Sequence, residues 1–170
     1  MIKSQIVTFL ASLEFKRILF LVGIVFLIAT AFISVNPEPF LRFGYWGVFV
    51  FSLFGPGMFL IPSLVDHLGV IPLALVVALG YALNDSISWF IGSTGHTIIP
   101  HGKRFERVEA TLHTYGQPAL FFWALIPFPY DAIALISGYL GFSYWRFVWP
   151  TFLGRLVRFI ALGYGLVKFF

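Results

Sequence analysis

The chain has 170 residues, 59% of them hydrophobic and 11% charged, against roughly 25% charged in an ordinary soluble domain. With 22 Phe and a mean hydropathy of +0.93 it cannot hide its apolar side chains inside a water-soluble globule of this size, and with no Cys it has no disulfide framework, thiolate metal site or cysteine nucleophile. The net charge of +4 comes without the basic stripe of a nucleic-acid binder and fits positive loops facing an anionic leaflet.

Residues 1–17 read as a surface segment, with Ile6, Phe9, Leu10 and Leu13 on one face of a short helix. Residues 18–37 follow Lys16 and Arg17 as an apolar run long enough to span. Ala29-Thr30-Ala31 imitates a signal-peptide cleavage site, but the apolar run continues past it, which favours a retained span. Residues 43–66 are also long enough to cross, yet Gly55, Pro56, Gly57 and Pro62 interrupt the helical hydrogen-bond ladder. The segment therefore reads as a re-entrant hairpin, with a kinked full span as the alternative.

Residues 68–92 form the next span, with Asn84 and Asp85 inside it. Ala74, Ala78, Ala82 and Ser86 recur every four residues, a small-residue stripe that admits another helix. Asp85 lies near this stripe and should face protein rather than lipid. After a polar turn, residues 103–115 alternate Phe105, Val108, Leu112 and Tyr115 with charge, the pattern of an amphipathic interfacial helix. Residues 117–145 contain the second break, Pro127-Phe128-Pro129-Tyr130-Asp131, and read as a second re-entrant hairpin. Residues 146–168 form the last span and carry Arg155 and Arg158 near its middle.

The excess of Lys and Arg near residues 16–17 and 103–107 places both regions, and the N-terminus, on the cytoplasmic side. That assignment holds only if the first hairpin does not cross. One hairpin then enters from each side. Leu60-Ile61-Pro62-x-x-x-Asp66 also matches Leu125-Ile126-Pro127-x-x-x-Asp131. The fold expected is an all-α polytopic membrane protein, an inverted repeat with two opposed re-entrant hairpins and about three full transmembrane helices.

Ionisable groups inside hydrocarbon cost roughly 2.5–3.5 kcal/mol each on insertion scales, so they pair or line a wet cavity. Arg155 and Arg158 share a helix face with Thr151 and Gly154 and could hold an anion. Equally, either could be neutralised by Asp85 or Asp131, or snorkel to the interface. Asp66 and Asp131 could exchange protons or cap the following helices. His96, His101 and His113 match no zinc spacing, and no nucleophile or metalloprotease motif is present, so no metal, cofactor or catalytic residue is expected. The expected partners are membrane lipids, with protons and self-association left open.

The stretch Gly80-Tyr-Ala-Leu-Asn-Asp85-Ser-Ile-Ser-Trp-Phe-Ile-Gly92 resembles the G-x-x-x-G-D-x-x-x-Y-x-I-G segment of the DedA family, within the VTT or SNARE-associated Golgi protein superfamily. Tyr115-Gly116, Pro127-Phe-Pro-Tyr-Asp131, Ser137-Gly138, Phe147 and Gly154-Arg155 are similar to its second motif, and the likeness covers about residues 44–165. The chain departs from the pattern in having Ala124 and Tyr130 where many members carry arginine, Ser63 where many carry Glu, and Asn84 in place of Gly. It looks closest to a small branch with P-x-P-x-D in the second hairpin. The resemblance implies a plasma- or inner-membrane protein that handles lipid, scrambling or flipping phospholipid or polyprenyl-phosphate headgroups. A proton- or ion-coupled carrier of a small solute and a membrane-embedded scaffold are the alternatives.

Overall fold

The fold comes from a computed structural model, which describes residues 21, 24–25, 28–29, 31–33, 36, 38–54, 56–94, 102–127 and 129–169. Readings that fall on residues 1–17, on Gly55 and on most of the first predicted span lie outside these. Within that span the described residues at 21, 24, 25, 28, 29 and 31–33 are helical. Leu21, Val25, Ile28 and Phe32 are exposed, while Ile33 packs into the core.

After a single turn at Glu38–Leu41, helix α1 (Gly44–Leu53) stops, a 3-10 turn follows (Pro56–Leu60), and α2 (Ile61–Leu68) resumes. Pro62 sits in the first turn of α2, where its missing N–H is no loss. Tyr45 Oη donates to the carbonyl oxygen of Leu68 at 2.8 Å. A continuous helix would hold these residues about 35 Å apart, so the chain folds back on itself. Gly69 then takes a φ of 77° and turns directly into α3 (Val70–Ser93). Of the described helices, α3 is the one long and apolar enough to cross a membrane.

Helix α4 (Lys103–Tyr115) keeps Phe105 and Leu112 buried and Glu106, Arg107 and His113 exposed, as an amphipathic helix must. Gly116, at φ 58°, redirects the chain into α5 (Gln117–Leu125). The break at 126–130 separates α5 from α6 (Asp131–Tyr139). A tight turn then leads into α7 (Tyr144–Phe169), as long as a span but polar at Arg146, Arg155 and Arg158. Gln117 and Leu140 to Ser143, from the two ends of this broken segment, line one cleft.

Each first limb lies against the long helix that follows it, α1 on α3 and α5 on α7. Each second limb reaches the other long helix, α2 on α7 and α6 on α3. The first pair opens at the N-terminal end of α3, next to Leu68. The second opens beside the C-terminal end of α3, where Trp89 Nε1 donates to the Phe142 carbonyl at 3.1 Å and Gly92 and Gly138 bring the backbones together.

The outer faces are apolar. On α3, Leu75, Leu79, Leu83 and Ile87 are exposed at four-residue spacing; on α7, Trp145, Trp149, Leu153 and Val157 are. The neighbouring face of α3, about 100° round the helix, holds Ala74, Ala78 and Ala82, all buried, and Ser86, partly buried, as its small-residue stripe requires. Such a pattern, apolar outside and small or polar inside, suits a bundle solvated by lipid tails.

The sequence match of L-I-P-x-x-x-D does not mark equivalent places. Leu60 to Pro62 opens a second limb, whereas Leu125 to Pro127 closes a first limb. Proline is compatible with both a helix start and a helix stop, so the shared motif carries no register.

Candidate functional site

Close backbone contacts, a buried ion pair and a second arginine converge where the two breaks approach α3 and α7. Gly80 and Gly154 let the first limbs in. A Cβ on Gly80 would lie 2.5 Å from the Ser52 Cβ and 3.0 Å from the Phe49 carbonyl oxygen. A Cβ on Gly154 would meet the Phe121 carbonyl oxygen and lie 2.7 Å from the Ala124 Cβ. Close backbone approach of this kind needs glycine.

Asp85 sits one turn beyond Gly80, only 2% exposed. Arg155 follows Gly154 and is 5% exposed. Its Nε donates to one Asp85 carboxylate oxygen and its Nη2 to the other, each at 2.7 Å. This bidentate fork is the geometry arginine provides and lysine does not. The guanidinium is flanked by Tyr81, with 4.7 Å to the ring centroid, and Tyr130, at 5.1 Å. Tyr130 is fixed in turn. Its hydroxyl lies 2.8 Å from Thr151 Oγ1 and 3.2 Å from the Leu120 carbonyl oxygen to which it donates.

Arg158, one turn further along α7, is half-buried and reaches both breaks. Its Nη2 donates to Met58 Sδ at 2.9 Å, in the 3-10 turn of the first. Its Nη1 donates to the Ile126 carbonyl oxygen at 3.3 Å, in the second. Met58 is held by its own backbone N–H, which donates to Tyr81 Oη at 3.3 Å. Among the described residues, the recorded ion pair is Arg155 with Asp85, and none involves Arg158.

The two arginines therefore do not face one opening side by side. Arg155 is committed to Asp85, the neutralised arrangement that the sequence left open, and Arg158 alone presents a guanidinium to the seam between the breaks. Asp131 is exposed and, among the described residues, accepts a 3.3 Å contact from Ser88 Oγ. Asp66 is exposed on α2, and no ion pair is recorded for it among the described residues. Neither aspartate caps a helix. The N-cap positions of the helices that follow belong to Gly69 and Tyr130, without side-chain hydrogen bonds: Asp66 lies inside α2, and Asp131 is already the first residue of α6. Pro62, Pro127 and Pro129 are exposed at the breaks, and Gly57 is buried against Ser52.

Sequence reasoning gave no site role to Tyr81, Met58 and Asn84, and took Tyr130 only as a departure from the arginine of the resembled pattern. The available signal was Gly80-x-x-x-Asn84 and Gly154-x-x-x-Arg158, the same glycine-to-donor spacing in two long helices.

A cleft of about 680 Å³ lies elsewhere, between the end of α4 and the start of α7, and includes His113, Gln117, Ser143 and Arg146. No group of acidic and histidine side chains suited to a metal ion occurs among the described residues.

The family model described as the VTT domain matches residues 6–167. No curated protein and no solved structure matches the chain.

Proposed function

The chain belongs to the VTT domain family, a family of membrane proteins, and on that premise we propose that it moves lipids with anionic headgroups across the bilayer. The two broken segments are re-entrant hairpins in this reading, entering from opposite leaflets, and the halves 44–93 and 117–169 form an inverted repeat. Several contacts support it. Phe49 and Ser52 pack on Gly80 as Phe121 and Ala124 pack on Gly154, the two contact residues lying three apart in each first limb. Tyr81 and Arg155, each one residue past those glycines, touch each other, as equivalent residues do beside a two-fold axis.

The observation that carries the proposal is Arg158. It is a half-buried cation between both hairpin tips, free of a carboxylate among the described residues, while the deeper Arg155 is already neutralised. A phosphate oxygen offers this guanidinium a stronger acceptor than a thioether or a shared carbonyl. Asp85 and Arg155 hold the long helices in register behind it. Asp131 follows the second break directly and Asp66 lies on the second limb of the first segment; both are exposed and can balance charge. No covalent step is involved. The site suits a headgroup in the seam with its tails left in lipid, over the exposed apolar faces of α3 and α7.

Reconstitution tests this reading. Vesicles containing the protein and a headgroup-labelled anionic phospholipid are exposed to a membrane-impermeant quencher. Loss of inner-leaflet signal faster than in protein-free vesicles is expected. Equal rates across several lipid types would remove the proposal. Uptake of a small solute driven by a proton gradient, without lipid movement, would favour the carrier alternative.

A further inference from the structure

We infer that Asn84 is a positioning residue, the counterpart of Arg158, and that only the Arg158 fastening is exchanged for an anion, so that the second hairpin moves while the first stays fixed. The inference rests on the reading of Arg158 as the anion site and names the element that responds.

The argument starts from what a broken helix leaves behind. The last carbonyls of α1 and α5 have no partner one turn further on, and in a low-dielectric setting each needs a donor. In the first half, Asn84 Nδ2 donates to the Leu53 carbonyl oxygen at 2.6 Å. In the second, Arg158 Nη1 donates to the Ile126 carbonyl oxygen at 3.3 Å. Asn84 lies four residues past Gly80, and Arg158 four past Gly154. Leu53 ends α1, and Ile126 immediately follows α5. Each long helix thus admits a first limb over a glycine and fastens its end one turn later.

The two fasteners differ in chemistry. The Asn84 amide is neutral, short and tight on its carbonyl. An anion gains little from it. The Arg158 guanidinium is charged, its contact is longer, and its other nitrogen rests on a sulfur, a weak acceptor. A phosphate competes for Arg158 and not for Asn84. When it does, the Ile126 carbonyl loses its donor and the tip of the second hairpin is released, whereas the first hairpin keeps the Leu53 fastening.

Hydrogen–deuterium exchange on the full chain in nanodiscs reads this directly, with peptides covering 44–60 and 117–133. The discs are either phosphatidylcholine alone or phosphatidylcholine with phosphatidylglycerol. In the wild type, phosphatidylglycerol should accelerate exchange in 117–133 and leave 44–60 unchanged. Asn84→Leu keeps the side-chain shape without the donor and should accelerate 44–60 by about tenfold in both lipids, the equivalent of one buried hydrogen bond. Asn84→Gln keeps a donor and should restore most of that protection, which separates a lost fastening from a misfolded chain. Arg158→Gln should accelerate 117–133 in phosphatidylcholine and abolish its response to phosphatidylglycerol.

Acceleration of 44–60 by phosphatidylglycerol to the same extent as 117–133, or an unchanged 44–60 in both Asn84 variants, overturns the inference. Transport measured on the same variants keeps the two ideas apart. If Arg158→Gln abolishes lipid movement while 117–133 never responds to phosphatidylglycerol, the anion site stands and the exchange of fasteners is wrong. If Arg158→Gln transports as the wild type does, the anion site itself is wrong.

Discussion

Arg155 and Asp85, 70 residues apart in the chain, meet in a two-pronged ion pair at 2.7 Å with both side chains almost fully buried. The pair ties α3 to α7, and those two helices hold the limbs of both broken segments. Removing one partner leaves an uncompensated charge in a dry setting, which costs about 3–5 kcal/mol. Replacing both by apolar side chains of similar size removes that penalty.

Asp85→Asn and Arg155→Gln should therefore each destabilise the protein severely, lowering its yield and its unfolding temperature in detergent. The double change Asp85→Leu with Arg155→Met should recover most of the lost stability. Thermal unfolding of the three variants checks this. A double variant no better than either single one would mean that the pair does more than neutralise itself.

The glycine contacts give a steric prediction. Gly154→Val places a branched side chain against the backbone oxygen of Phe121 and the Ala124 methyl, neither of which can swing away. Overpacking of this kind costs about 1–3 kcal/mol. Gly80→Val should behave alike, because Ser52 and Phe49 occupy the corresponding space. Gly165→Ala, with nothing within 4 Å of an added Cβ, should be nearly neutral. Unfolding midpoints of the three rank the contacts.

Tyr130→Phe isolates one hydroxyl. Its partners, Thr151 Oγ1 and the Leu120 carbonyl, are buried, so the loss should be about 1–2 kcal/mol. The ring stays over Arg155, and lipid movement, normalised to folded protein, should fall by less than about threefold. Unfolding and transport on one preparation separate the two effects.

Asp66→Asn should leave both stability and transport within about twofold of the wild type, since surface charges without a buried partner contribute little. Asp66 is exposed on α2 and makes no recorded ion pair among the described residues. Transport rates compared at equal protein density decide it, and a large loss would give this carboxylate a direct role.

The all-helical architecture was legible in the sequence, and so were the places where helices stop. Gly55 to Gly57 and Pro127 to Pro129 are strong punctuation in long apolar runs, and the breaks fall there. The inward face of Asp85 was legible from its phase on the alanine stripe. Whether Asp85 or Asp131 pairs with Arg155 was not, because composition and helical phase say which face is polar but not which helix crosses it. The L-I-P motif misled for a related reason: proline opens one limb and closes another. Phe49 and Ser52 approach Gly80 closely, and Phe121 and Ala124 approach Gly154, contacts made through backbone and small side chains.

Transport by Arg158→Gln and Arg158→Lys, beside the wild type, tests the central claim most directly. All three are reconstituted at equal density and assayed with headgroup-labelled phosphatidylglycerol and with labelled phosphatidylcholine. A guanidinium that receives phosphate in the seam predicts that Arg158→Gln slows phosphatidylglycerol by at least about tenfold, one charge-assisted hydrogen bond. Arg158→Lys should fall in between, and every variant should keep the wild-type unfolding temperature to within a few degrees. Wild-type rates of phosphatidylglycerol movement in a folded Arg158→Gln protein would contradict the account.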